Sequence, residues 1–234
     1  KEIFEYLGSS EKRCYIAIDE FQQISDYPES GVEALLRSYI QFIPNINFIF
    51  SGSSQHIMRN MFLSAKRPFY QSTQIITIDR IDKNLYFDFA NEFFSTKGIE
   101  LKREIFDYYY DRFSGHTWYI QAILNRLYSS GYTSIDSQLV KDVVNEIIEE
   151  SYYSYQALLS AYSINNVRLL KAIAKEGVVS EITSSAFITK YKLGAVSSVR
   201  TSLKKLIDQE LAYKTDDGYI VYDRFMAIWL KAQP

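Results

Sequence analysis

Two adjacent carboxylates, Asp19 and Glu20, close the apolar run Tyr15-Ile16-Ala17-Ile18. Residues 13–18 read as a short, fully buried strand. A carboxylate at the C-terminal tip of a parallel strand stands where open α/β sheets bind ligands. Asp19 in that position can hold Mg²⁺, largely through water, while the metal bridges nucleotide phosphates. Glu20 beside it can orient and deprotonate an attacking water. The bland alternative is a strand that ends in solvent with its acidic residues merely exposed. A second buried strand, Ile46-Asn47-Phe48-Ile49-Phe50, is closed by the polar turn Ser51-Gly52-Ser53-Ser54. A hydroxyl there, from Ser53 or alternatively Ser54, can sense a γ-phosphate beside the first strand.

Positioning such a site takes a sheet. Val32, Leu35, Leu36, Tyr39, Ile40 and Ile43 follow one face of a helix between the two strands. Residues 74–78, Gln-Ile-Ile-Thr-Ile, read as a third strand. Strands and helix in this order, with continuous apolar runs, predict a parallel sheet covered on both faces. From about residue 83 the pattern turns helical: a helix ending at Gly98, helices over 102–113 and 117–129, and one long helix over roughly 136–162. The last stretch predicts three short helices and a hairpin turning at Asp217-Gly218, the elements of a winged helix-turn-helix. The expected division is a partial α/β core over 1–82, an all-α lid over 83–162 and a winged helix over 163–234.

Composition narrows the class. The chain of 234 residues is 47% hydrophobic and 23% charged, the profile of a globular protein. No apolar run approaches the roughly 18 residues that span a membrane. No basic-then-apolar leader opens the sequence, so a cytoplasmic location is expected, without a membrane partner. The single cysteine, Cys14, excludes an internal disulfide framework and reads as a buried structural thiol. The 20 tyrosines lie in helical patterns and read as packing residues rather than a binding box.

The order of several motifs resembles that of P-loop ATPases, in particular the AAA-like, STAND-related archaeal-type ATPase family. "YIAIDE" looks like its Walker B strand and "FIFSGSS" like its sensor strand. "KRPFY" at 66–70 is similar to its Pro-Leu-Tyr-Gly-Arg loop. "FSGHTWYIQAI" at 113–123 is similar to its Gly-x-Pro lid motif, and "GYIVYDRFMAIWL" at 218–230 to its closing segment. The resemblance implies ATP and Mg²⁺ as ligands, Asp19 at the metal, Glu20 as catalytic base and Ser53 as sensor. Two departures stand out. Gln71-Ser72 replaces the Gly-Arg after the aromatic, where Arg67 can substitute or stand solvated. Thr117 replaces the proline near the adenine, and His116 is either a nucleotide contact or an exposed, capping histidine.

A phosphate-cradling loop needs Gly-x-x-x-x-Gly-Lys-Ser/Thr. None of the nine glycines is followed by lysine, and the Walker B-like strand begins near residue 13. The expectation is the C-terminal part of a longer ATPase, inactive by itself.

Residues 1–165 are net acidic and residues 166–234 net basic, within an overall charge of −2. On the third helix of the winged segment, Arg200 and Lys204 lie one turn apart, with Lys205 adjacent. That face can meet DNA phosphates, although Asp216 and Asp217 in the wing would repel them. Three functions therefore stand at this point: a switch ATPase, a winged-helix DNA-binding regulator, and a non-catalytic protein-interaction module. A protein partner and a homo-oligomer stay open alongside them.

Overall fold

The computed structural model describes residues 2–233, the side chains at 55 and 56 excepted. It divides into two compact units, Lys1–Ile78 and Asp79–Pro234.

The first unit runs α1 (Glu2–Gly8), β1 (Cys14–Ile18), a 3₁₀ turn (Phe21–Asp26), α2 (Val32–Ile40), β2 (Ile46–Phe50) and α3 (Gln55–Leu63). The two strands pair in parallel from Cys14 opposite Ile46 to Ile18 opposite Phe50. Phe21, Met61, Phe62 and Phe69 form its core, with Ile18, Leu36, Ile40 and Phe50 packed against them. Phe21 carries this cluster: it lies 4.2 Å from the Phe50 ring and edge-on to Phe69 at 5.4 Å. Each such ring contributes about 1.5–3 kcal/mol by leaving water.

Four expectations need correcting here. Apart from the buried Ile46, both strands alternate half-buried and exposed residues instead of being buried throughout, and Tyr15 and Ile49 are exposed. Cys14 is accordingly half-buried, its Sγ 3.6 Å from the Lys12 carbonyl. Residues 74–78 form no strand: Ile76 and Ile78 are 78% and 90% exposed. A β-prone run becomes a strand only when another strand pairs with it, and no described residue does so here. The helix expected over Val32–Ile43 ends at Ile40, and its apolar face is only partly covered.

The second unit contains α4 (Lys83–Thr96), α5 (Arg103–Arg112), α6 (Thr117–Ser129), α7 (Ser137–Glu150), α8 (Tyr152–Ser160), α9 (Ile164–Glu176), α10 (Ser185–Tyr191), α11 (Val196–Asp208), β3 (Ala212–Lys214), β4 (Tyr219–Val221) and α12 (Arg224–Ala232). Side-chain caps start many of these helices. Asp82 accepts from Asn84 and Leu85 at α4, Asp136 from Leu139 at α7, and Ser184 from Phe187 at α10. The single helix expected over 136–162 is two, separated at Ser151. The Ser151 hydroxyl donates back to the Ile147 carbonyl at 3.0 Å, a local bond that competes with the helix ladder.

In the wing, β3 and β4 pair antiparallel from Ala212 opposite Val221 to Lys214 opposite Tyr219. Val179 adds a further bridge to Tyr219, its N–H donating at 3.0 Å and its carbonyl accepting at 2.9 Å. Gly218 must be glycine: its φ is 146°, and a Cβ there would lie 2.5 Å from the Val179 carbonyl oxygen.

One hydrophobic core runs through the whole second unit, from Tyr86 to Leu230. It joins the helices before residue 162 to the winged helix. The Tyr119 hydroxyl accepts from the Arg224 backbone N–H at 3.1 Å, and the Tyr155 hydroxyl donates to Asp223 at 3.2 Å. Phe225 packs edge-on against Phe113 and Tyr119. Helix α12, which bears Trp229 and Leu230, is thereby seated against both parts.

Candidate active site

The ends of β1 and β2 stay tied beyond the last strand residues. Ser51 N–H donates to the Ile18 carbonyl at 3.0 Å, and Phe21 N–H donates to the Ser51 carbonyl at 2.9 Å. These two bonds bring Asp19 and Glu20 alongside the Ser51–Ser54 turn. Burial of Phe21 in the core then forces the chain to turn sharply, and Glu20 takes up the left-handed conformation, φ 49° and ψ 39°. For a residue with a Cβ that geometry costs on the order of 1 kcal/mol.

The two carboxylates have different partners. Asp19 Oδ1 accepts from the Ser51 hydroxyl at 2.6 Å and from the Glu20 backbone N–H at 3.0 Å. Those bonds, the serine's first, hold the Asp19 carboxyl below its ordinary range, so it is ionised at neutral pH. Glu20 Oε2 accepts from the Ser53 hydroxyl at 3.0 Å and from the Gln22 side-chain amide. An exposed, ionised carboxylate with a serine hydroxyl beside it suits Mg²⁺, which keeps several waters and takes one or two carboxylates. Glu20 is left with Oε1 unengaged among the described residues.

The sequence-based candidates fall into distinct places. Asp19, Glu20 and Ser53 come together. Ser54 occupies the N-cap position of α3 without a side-chain cap bond. Arg67 is half-buried and paired rather than free in solvent: it pairs with Glu33 at 2.8 Å and donates to Ser25 Oγ at 2.9 Å. Burial is the larger influence on Glu33 and raises its pKa, with Arg67 opposing it. Among the described residues Arg67 makes no bond to Asp19 or Glu20. Gln71 adopts φ 50°, the left-handed conformation that favours glycine.

His116, in the second unit, is exposed at the N-cap position of α6, with no side-chain cap bond and its ring 4.9 Å from Tyr119. Arg200, Lys204 and Lys205 are exposed on α11 without an acidic partner among the described residues, Lys205 lying over the Tyr162 ring. Sequence reasoning missed Ser51 and Gln22. The only signal for Ser51 was its register, since it directly follows the last paired residue, Phe50.

Residues 153–232 match the family model described as a probable winged helix domain. No curated protein matches the chain. Among solved structures, a Walker-type ATPase of Pyrococcus abyssi is similar at 18% identity with a TM-score of 0.64. The match covers 98% of this chain and 65% of that one, so the chain spans about two-thirds of that protein's length. The Holliday junction branch migration motor RuvB of Thermotoga maritima matches at 16% identity and a TM-score of 0.48, over all of this chain and 75% of its own. Over nearly its whole length the chain thus shares the fold of a Walker-type ATPase, and its residues 153–232 carry a winged helix domain.

Proposed function

We propose that this chain is the Walker B-bearing, lid and winged-helix part of a Mg²⁺-dependent, STAND-related ATPase, with functional divisions near residues 82 and 162. The observation that carries the reading is the pairing at the tips of two parallel strands: Asp19 held by Ser51, and Glu20 held by Ser53. Asp19 would hold Mg²⁺, which neutralises phosphate charge when bound. Glu20 Oε1 would accept the proton of the attacking water. Ser53, anchored to the base, would report the γ-phosphate to it. A reducing cytoplasmic setting accords with the free Cys14, and among the described residues no helix is long and apolar enough to cross a membrane.

In this reading hydrolysis moves the lid and winged helix relative to the nucleotide core. Because the lid helices and the winged helix share one core, the winged helix works as part of that moving body and contacts a protein partner. The three exposed cations of α11 favour a second reading, in which that helix meets DNA.

Calorimetry of this chain with MgATP tests the assignment of parts. No glycine here is followed by lysine, so the phosphates lack their usual cradle. Binding weaker than micromolar and no turnover are expected; sub-micromolar affinity would refute the proposal.

A further inference from the structure

Gln22 is the least expected side chain at this site. It is only 8% exposed, yet its carbonyl oxygen Oε1 is buried without a hydrogen-bond partner. Buried polar groups are rarely left this way, and each one that is calls for an explanation. Its amide nitrogen supplies it: Nε2 donates to Glu20 Oε2 and lies 3.4 Å from Ser53 Oγ. With Nε2 donating to Glu20, the amide oxygen Oε1 turns away from it.

The space into which Oε1 turns exists because residue 52 is glycine. A Cβ at Gly52 would stand 2.2 Å from Gln22 Oε1 and 2.9 Å from the Met58 side chain. Gly52 does not have a positive φ, so the need for glycine is one of room, not of backbone conformation. Gln22 and Ser53 grip one carboxylate oxygen, and the other accepts from neither.

We infer that Gln22 is a positioning residue that fixes the Glu20 carboxylate with Oε1 presented to the attacking water, and that Gly52 is the gap that lets it do so. The inference rests on the ATPase reading for its consequence but not for its geometry. Gln22→Leu removes the donor, and Gly52→Ala displaces the same amide from its far side without touching Glu20.

Two measurements test it. In this chain, NMR identifies the Gln22 side-chain amide by its loss in Gln22→Leu. Its protons exchange slowly with solvent in the wild type and fast in Gly52→Ala; exchange in the wild type as fast as at exposed Gln209 overturns the inference, whatever the turnover. In the full-length protein, both variants lower kcat for MgATP by about 10²-fold, the scale of misplacing a catalytic group by about 1 Å. KM stays within about twofold, because only an interaction of the transition state is lost. Wild-type kcat in Gln22→Leu and Gly52→Ala, alongside an inactive Glu20→Gln, would overturn positioning. Wild-type turnover in Glu20→Gln would instead sink the ATPase reading and leave the amide exchange to decide the grip.

Discussion

Replacing Asp223 should show how firmly the winged helix is fastened to the helices before it. Its carboxylate has two tasks. Oδ1 caps α12, accepting from Phe225 N–H at 2.8 Å and Met226 N–H at 3.0 Å. Oδ2 accepts the Tyr155 hydroxyl at 3.2 Å, on a side chain only 8% exposed. Alanine removes a cap worth about 1 kcal/mol and strands a buried hydroxyl at about 1–3 kcal/mol. Asp223→Ala should therefore destabilise the second unit by ~2–4 kcal/mol. Asparagine keeps one acceptor for the cap, and its NH₂ can donate to the Tyr155 hydroxyl oxygen, so Asp223→Asn should stay within about 1 kcal/mol of the wild type. Urea unfolding measures both changes, followed in single-tryptophan forms made by Trp229→Phe and Trp118→Phe. Trp229 on α12 lies in the continuous core, and Trp118 on α6 is exposed but packs against Tyr119 and Phe225 of that core, so both should report one midpoint. A loss below about 1 kcal/mol in Asp223→Ala would refute the reasoning about the cap and the buried hydroxyl. Separate midpoints at the two tryptophans would refute the shared core.

Burial pushes the phenols of Tyr86 and Tyr119 up to about 12, from an ordinary 10.0, and raises Tyr155 in the same direction. Their protonated forms favour the fold, so this stability is complete below pH 10 and drains away as pH rises towards 12. Phenolate absorbance and helical circular dichroism should change together in that window; ionisation of all tyrosines near pH 10 with the helices intact would contradict it. In the first unit, Arg67→Met should destabilise more than Glu33→Gln, because it leaves a largely buried carboxylate without its cation; chemical denaturation giving the reverse order would overturn this. For α11, a gel-shift titration at two salt concentrations compares the wild type with the Arg200, Lys204 and Lys205 triple alanine. Weak binding with little difference between the proteins is expected if α11 packs against a protein. A tight complex that is lost in the mutant, with a salt slope flattened by up to about three, would establish DNA contact instead.

The parts of this molecule that were legible in its sequence are those set by local chemistry. Asp19-Glu20 after four apolar residues announced a strand end, and Asp217-Gly218 announced the wing. Gly98, with φ 68°, marked the end of α4. What stayed hidden depends on contacts distant in sequence. Gln22 sits 31 residues from Ser53, and no periodicity marks a glutamine that reaches back to a carboxylate two residues earlier. Arg67 read equally well as solvated because Glu33 and Ser25, its partners, carry no pattern of their own. Residues 74–78 have the composition of a strand, but pairing is a property of neighbours. Ser151 interrupts a continuous helical pattern with one hydroxyl, which an apolar period does not register. The bond from Tyr155 to Asp223 is hidden in the same way, since it spans 68 residues.

The most direct test of the central claim is MgATP hydrolysis by the full-length protein carrying Glu20→Gln, with nucleotide binding measured on the same preparation. The amide keeps the shape at residue 20 and leaves Asp19 and Ser51 in place for the metal, but it cannot take a proton from water. Turnover should fall by about 10²–10⁴-fold, the usual contribution of a general base, while MgATP affinity is preserved. Turnover at the wild-type rate would contradict the account.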